Sequence, residues 1–280
     1  MQDFPTIKQT KEAIKNIHNT DFTRMSLADI KTFYYQNFGL FPIPTLFLDV
    51  DVLNELHVFR ARPKKSVEDE YSIKPYYYPP DPVIMCTSPQ RANWTGHSVF
   101  YCSLSPETAI AELKFHDIDE EFYISRWSFD TTKIRSKKIM VSPMYLGLEF
   151  KDGFWNNLIK TSGFEERIIK EEGKLKAKRF MFLIKEISKL FCSTNTKLYP
   201  FTAYVAHNIM YNTMDNTNTV HFPILIFPSI EAEFKGMNFA ILPSFVDNFM
   251  SIDNLFHMTL KENTKEKISS TISKVRMSNN

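Results

Sequence analysis

Apolar and polar positions alternate with changing period along the chain, and the changes divide it. Residues 1 to about 40 follow a helical period. Ser26 stands ahead of Leu27, Ile30, Phe33 and Tyr34 as an N-cap, with Asp29 placed to favour the positive end of a helix. Phe41-Pro42-Ile43-Pro44 breaks that period and marks the entry into a second region. Short apolar runs follow: Leu56 to Ala61, Ser98 to Ser103, 121–129 and about 136–142, each of strand length. Ser105, Pro106 and Glu107 form a helix start ahead of Ala109-Ile110-Ala111-Glu112-Leu113-Lys114-Phe115.

Residues 152 to 192 return to a helical period. Phe180, Leu183, Ile184, Ile187, Leu190 and Phe191 make one apolar stripe opposite a lysine-rich face, the pattern of a helix packed on a core. A further helix holds Tyr204, Val205 and Ile209. Ile224 to Phe227 and Met237 to Leu242 read as buried strands. Residues 63–90 have no period and are rich in Pro, Tyr and charge; the cluster Tyr76 to Pro80 either lines a ligand site or stiffens a surface loop. The division expected is a helical segment over 1–45, a main domain over 46–255 with a helical insertion at about 143–200, and a polar tail over 256–280 that frays.

Composition narrows the class. Of 280 residues 43% are hydrophobic and 24% charged, which supports a packed core. The net charge of +2 carries no basic excess of the kind duplex binding uses, so a nucleic-acid partner is not expected. Cys86, Cys102 and Cys192 form no CxxC pair and read as free thiols in a reducing compartment. The polar N-terminus has no apolar signal core, and no run reaches the roughly 20 apolar residues of a membrane span. A cytoplasmic location is the expectation.

The seven histidines have no metal-ligand spacing, so no metal is expected. There is no GxGxxG, no Walker loop and no GxSxG elbow. What remains is a set of polar residues set at the ends of apolar segments: Arg60, Arg91, Tyr101, Glu112 and Ser229.

The order and spacing of these residues resemble the RES family, named for its Arg, Glu and Ser. The matching segments are Phe59-Arg60-Ala61, Arg91-Ala92-Asn93-Trp94-Thr95-Gly96, Val99-Phe100-Tyr101, Ala109-Ile110-Ala111-Glu112, and Ile226-Phe227-Pro228-Ser229 followed by Gly236-Met237-Asn238-Phe239-Ala240-Ile241-Leu242. Phe227 stands where the family has Tyr, and Arg62 follows Arg60 by two residues, so either arginine can be the ligand. The resemblance implies an α+β fold like that of ADP-ribosyltransferases, with a split, mostly antiparallel sheet and surrounding helices. It implies NAD as substrate and cleavage of the nicotinamide–ribose bond, by water or by inorganic phosphate, in a toxin silenced by an antitoxin protein. Transfer of ADP-ribose to a protein and a non-enzymatic protein-binding module are the alternatives.

In the implied reaction nicotinamide leaves as a neutral ring, and the barrier lies in the positive charge that develops on ribose. Glu112 is the carboxylate expected to offset that charge from a buried position. Arg60 and Arg91 offer planar forks for the diphosphate. Tyr101 stacks on nicotinamide or bonds ribose, and Ser229 bonds the nicotinamide amide or a ribose hydroxyl. Asn93 and Asn238 complete the expected NAD contacts.

Overall fold

The computed structural model describes residues 4–114, 117–148, 157–159, 161–211, 222–263 and 268–277. The chain is α+β and divides into two units, each discontinuous in sequence. The first takes residues 1–47, 86–97 and 140–227; the second takes 48–85, 98–139 and 228–280.

In the first unit, α1 (Ile7–Asn19) and α2 (Leu27–Phe38) both start with a capping box. Ser26 Oγ accepts from the Asp29 main chain while the Asp29 carboxylate accepts from Ser26 N, so Asp29 caps as well as opposing the dipole. The expected long helical region includes α6 (Phe164–Glu172) and α7 (Lys174–Phe191), parted at Gly173, whose φ of 82° no β-carbon-bearing residue adopts readily. The part of that region at 149–156 lies outside the described residues. The apolar stripe of α7 is buried throughout, from Ala177 to Phe191. α8 (Tyr199–Tyr211) is buried on nearly every side, and its Tyr204 and Phe201 pack with Tyr34 of α2. β5 (Lys138–Pro143) runs parallel to β6 (Ile224–Pro228), Val141 opposite Ile224. β1 (Leu46–Asp49) alternates buried and exposed residues.

The second unit is built on antiparallel strands in the order β7-β3-β2-β4-β8-β9. These are β2 (His57–Pro63), β3 (Phe100–Ser103), β4 (Glu121–Phe129), β7 (Met237–Ile241), β8 (Met250–Asn263) and β9 (Ile268–Met277). β2 pairs with β4 along its whole length, from His57↔Ser128 to Pro63↔Phe122. Its pairing with β3 is different: a single register pair, Phe59↔Ser103, joins them. The ladder opens beyond it. The short α3 (Val50–Glu55), α4 (Pro82–Met85), α5 (Pro106–Ala111) and α9 (Pro243–Phe249) also belong to this unit, and the expected loop at 63–90 holds α4 and two turns of 3₁₀ helix.

Residues 256–263 and 268–277 do not form the frayed polar tail expected. The tail begins inside β8, and β9 pairs with β8 from Asn254↔Met277 to Asn263↔Ile268. Phe256, Met258 and Leu260 alternate along β8 and pack with Ile110, Phe122 and Ile124. The intervening residues are polar because only one face of the strand meets that core.

α5 lies over the Phe59 and Ala61 side of β2, with Ile110 in the same core. Ser105 caps it through the Thr108 main chain, as its sequence predicts. Six residues do not make a self-supporting helix, so its place depends on packing. Gly236 gives it room: a β-carbon there would stand 2.0 Å from Thr108 Oγ1.

Two predictions follow from this packing. Gly236→Ala destabilises the protein by about 1–3 kcal/mol, the usual cost of overpacking. Thr108→Ala in the same chain recovers part of that loss, and thermal unfolding of the single and double variants reads the coupling. Additive losses would mean that the two sites do not meet.

The second concerns acid. The buried His207 ring packs against His97 and Tyr211, its Nδ1 has no partner, and burial, then His97, pushes its pKa down to about 4. The unfolded chain takes up this proton near the ordinary pKa of 6.5 while the fold refuses it. Stability therefore falls as pH drops from about 6.5 towards 4. His207→Phe should flatten that part of the unfolding-versus-pH curve; an unchanged slope would place the acid sensitivity elsewhere.

Candidate functional site

Glu112 ends α5 as its C-cap rather than lying within the helix, and its side chain is exposed rather than buried. A carboxylate there meets the negative end of the peptide dipoles, which disfavours it. Two hydrogen bonds oppose that. Ser229 Oγ and Asn238 Nδ2 each donate to Glu112 Oε1, both at 2.6 Å. Oε2 has no partner among the described residues.

Each donor is fixed from behind. Ser229 is fully buried at the head of the loop between Pro228 and Met237. Its Oγ accepts from Ala232 N at 3.0 Å, and its own N–H donates to the Gly236 carbonyl at 2.9 Å. With that acceptor role filled, the hydroxyl proton points to Glu112. Asn238 stands opposite Ser103 in the β3–β7 ladder, and Ser103 Oγ donates to Asn238 Oδ1 at 2.7 Å. The amide is thereby oriented with its Nδ2 towards Glu112. Lys114, directly after the helix end, pairs with Glu231 of the Ser229 loop at 2.7 Å. Both side chains are partly in water, so this pair contributes little.

Ser103 joins the candidate site although its position in the sequence does not single it out. Its signal was strand alternation: it lies two residues after Tyr101, hence on the same side of β3. Tyr101 is half-buried on that side, opposite Ala240.

Arg60 occupies the place where β2 and β3 part. It is 7% exposed, its Nη1 donates to the Tyr101 main-chain carbonyl at 2.5 Å, and its guanidinium lies 5.2 Å from the centre of the Phe100 ring. Burial, with Arg62 adding repulsion, holds its pKa well below the ordinary arginine range. It makes no hydrogen bond or ion pair to Glu112. The structure thus joins Glu112, Ser229 and Asn238 directly, sets Tyr101 on the Asn238 side of its strand, and ties Arg60 to the Tyr101 main chain.

Arg91 and Asn93 belong to the first unit. Arg91 donates to the Phe191 carbonyl, to the Ser193 carbonyl at 3.2 Å and to the Tyr199 hydroxyl at 3.2 Å, and it covers the Tyr199 ring. These bonds satisfy carbonyls at the end of α7. Asn93 is buried within its own turn, its Nδ2 donating to the His97 carbonyl at 3.3 Å, and Gly96 supplies the positive φ of 75° that the turn requires.

Among the described residues no group of three or more His, Cys, Asp or Glu side chains is placed to hold a metal, and no helix is long and apolar enough to cross a membrane. All three cysteines are free.

No curated protein and no solved structure matches the chain significantly. Ser229 and Asn238 lie beyond the reach of the family comparison, which covers Arg60, Arg91, Tyr101 and Glu112. Residues 58–143 match the model of the RES domain.

Proposed function

We propose that the protein binds NAD and breaks its nicotinamide–ribose bond, with water or inorganic phosphate as acceptor. The observation that carries this reading is the Glu112 carboxylate. One oxygen takes two short hydrogen bonds from buried side chains while the other is left free at an exposed position. A carboxylate held this way is preorganised, and it needs no rearrangement when positive charge develops beside it. Nicotinamide leaves as a neutral ring, so no general acid is required on that side. Glu112 Oε2 faces the ribose, offsets its oxocarbenium character and orients the incoming nucleophile.

Ser229 acts here as an orienting donor. Its hydroxyl is bonded to a carboxylate and, among the described residues, no histidine base is placed on it, so it is not assigned as a nucleophile. Arg60 binds the diphosphate, and Tyr101 supplies a ring face for nicotinamide or a hydroxyl for ribose. The opening of the β2–β3 ladder supports a split sheet of the ADP-ribosyltransferase kind. Cleavage of this bond drains NAD from a cell, which is the action of a toxin and would require a silencing protein partner.

Incubation of the purified protein with NAD, with and without phosphate, tests the reading by mass spectrometry. Free nicotinamide with ADP-ribose or its 1-phosphate is the expected result, and intact NAD under both conditions would end it. Glu112→Gln keeps the shape and removes the charge. It should lower kcat by about 10²–10³, equivalent to about 2.7–4 kcal/mol, with little change in thermal unfolding. A folded variant with wild-type turnover would show that another carboxylate does this work.

Arg60→Lys keeps the charge and loses the fork. The expected outcome is a KM for NAD raised at least about tenfold, or roughly 1.4 kcal/mol, with the larger effect on KM than on kcat. Unchanged affinity would remove Arg60 from the diphosphate.

A further inference from the structure

Among the described residues of the second unit, two neighbouring arginines have no counter-ion. Arg60 and Arg62 are two residues apart on β2 and so project from the same side, opposite Ser125 and Tyr123 of β4. Both Nε atoms are buried and have no hydrogen-bond partner. Arg60 uses one donor, on the Tyr101 carbonyl; Arg62 makes no hydrogen bond and no ion pair among the described residues. Neither meets a described carboxylate.

An arginine carries five N–H donors. Burying one without acceptors is costly, and placing a second beside it adds repulsion. Burial alone also lowers the Arg62 pKa, so both groups are drawn from water without an anion among the described residues to compensate. Arg91, the second arginine that sequence order points to, is already engaged on two carbonyls and a hydroxyl.

We infer that Arg60 and Arg62 together form a receptor for a diphosphate, and that Arg62 takes the place beside Arg60 that sequence order gives to Arg91. Same-side neighbours on a strand stand roughly 6.6 Å apart, two rises of about 3.3 Å each. That spacing suits two linked phosphates, one to each fork, better than one. Arg60 is almost fully covered whereas Arg62 is half-buried, so the ligand enters past Arg62. The inference deepens the NAD reading, whose substrate carries such a group, but the anion site stands on the two arginines themselves.

The test is thermal unfolding of the full chain at constant ionic strength, with inorganic pyrophosphate, ADP, AMP or inorganic phosphate. Pyrophosphate and ADP should raise the Tm of the wild type by roughly 5–10 °C at about 100 times their Kd, and AMP and phosphate should do much less at equal concentration. Arg62→Met removes a half-buried cation that has no counter-ion among the described residues. Its unliganded Tm should equal or exceed that of the wild type, and its pyrophosphate shift should vanish.

A merely structural Arg62 predicts the reverse pair: a lower unliganded Tm and an intact shift. A retained shift overturns the inference, as does a wild type that responds to neither pyrophosphate nor ADP. Should Arg62→Met fail to fold, Arg62→Lys measured by calorimetry decides, with pyrophosphate affinity expected to fall at least tenfold and an unchanged value overturning the site. A pyrophosphate shift that needs Arg62, in a protein that leaves NAD intact, keeps this site and discards the reaction. NAD cleavage by a protein whose pyrophosphate shift survives Arg62→Met does the opposite.

Discussion

Glu112 Oε1 accepts from Ser229 Oγ and Asn238 Nδ2, and much of the second unit serves to keep that triple contact in place. The helix that presents Glu112 has six residues and cannot hold itself. It is capped at one end by Ser105, pressed into the core by Ile110, and admitted to its seat by the missing side chain of Gly236. At its other end the carboxylate opposes the helix dipole. Local rules disfavour a glutamate there, and they are overridden by two donors that themselves are tied down, Ser229 by Ala232 N and Asn238 by Ser103. A violation of local preference compensated at several neighbouring positions marks this place as a candidate functional site.

Arg60 and Arg62 show the same tension in charge. A sheet optimised for stability would place apolar side chains or ion pairs at these positions on β2. Instead two guanidiniums are partly desolvated with their Nε groups unsatisfied. The single register pair between β2 and β3 is part of the same compromise. A continued ladder would add main-chain hydrogen bonds and close the space that Arg60 reaches across to Tyr101. In the proposed diphosphate site, stability forgone at these positions becomes available to a ligand that supplies the missing acceptors.

What the residues disclosed in advance depended on how local the determining interactions are. The caps at Ser26 and Ser105 and the strands around Arg60, at 121–129, at Ile224 and at Met237 are set by short-range pattern, and the structure has them. β8 and β9 escaped because their polar positions resemble a solvated tail; the alternation of Phe256, Met258 and Leu260 has meaning only once a one-sided core is known. α5 was expected to run to Phe115, yet it stops at Ala111, since nothing in the local pattern marks where packing ends it. In the candidate site, Glu112, Ser229 and Asn238 were singled out through family order, and the structure bonds Ser229 and Asn238 to Glu112. Ser103 was not, because its role is to orient an amide 135 residues away. Nor did the sequence reveal that Arg91 is taken up by the carbonyls at the end of α7.

The proposed chemistry divides its work between these two features, and physical reasoning says which kinetic quantity each governs. The diphosphate carries the same charge before, during and after cleavage. Arginines bound to it stabilise substrate and transition state alike, and so act on binding. Positive charge on ribose exists only as the nicotinamide bond breaks. A carboxylate held rigidly beside that carbon interacts more strongly with the transition state than with the ground state, and this difference alone accelerates the step. Rigidity is therefore required of Glu112 and not of the arginines. The hydrogen bonds are distributed in that way: two short bonds from buried, back-bonded donors fix the carboxylate, while the Nε groups of Arg60 and Arg62 have no partner among the described residues.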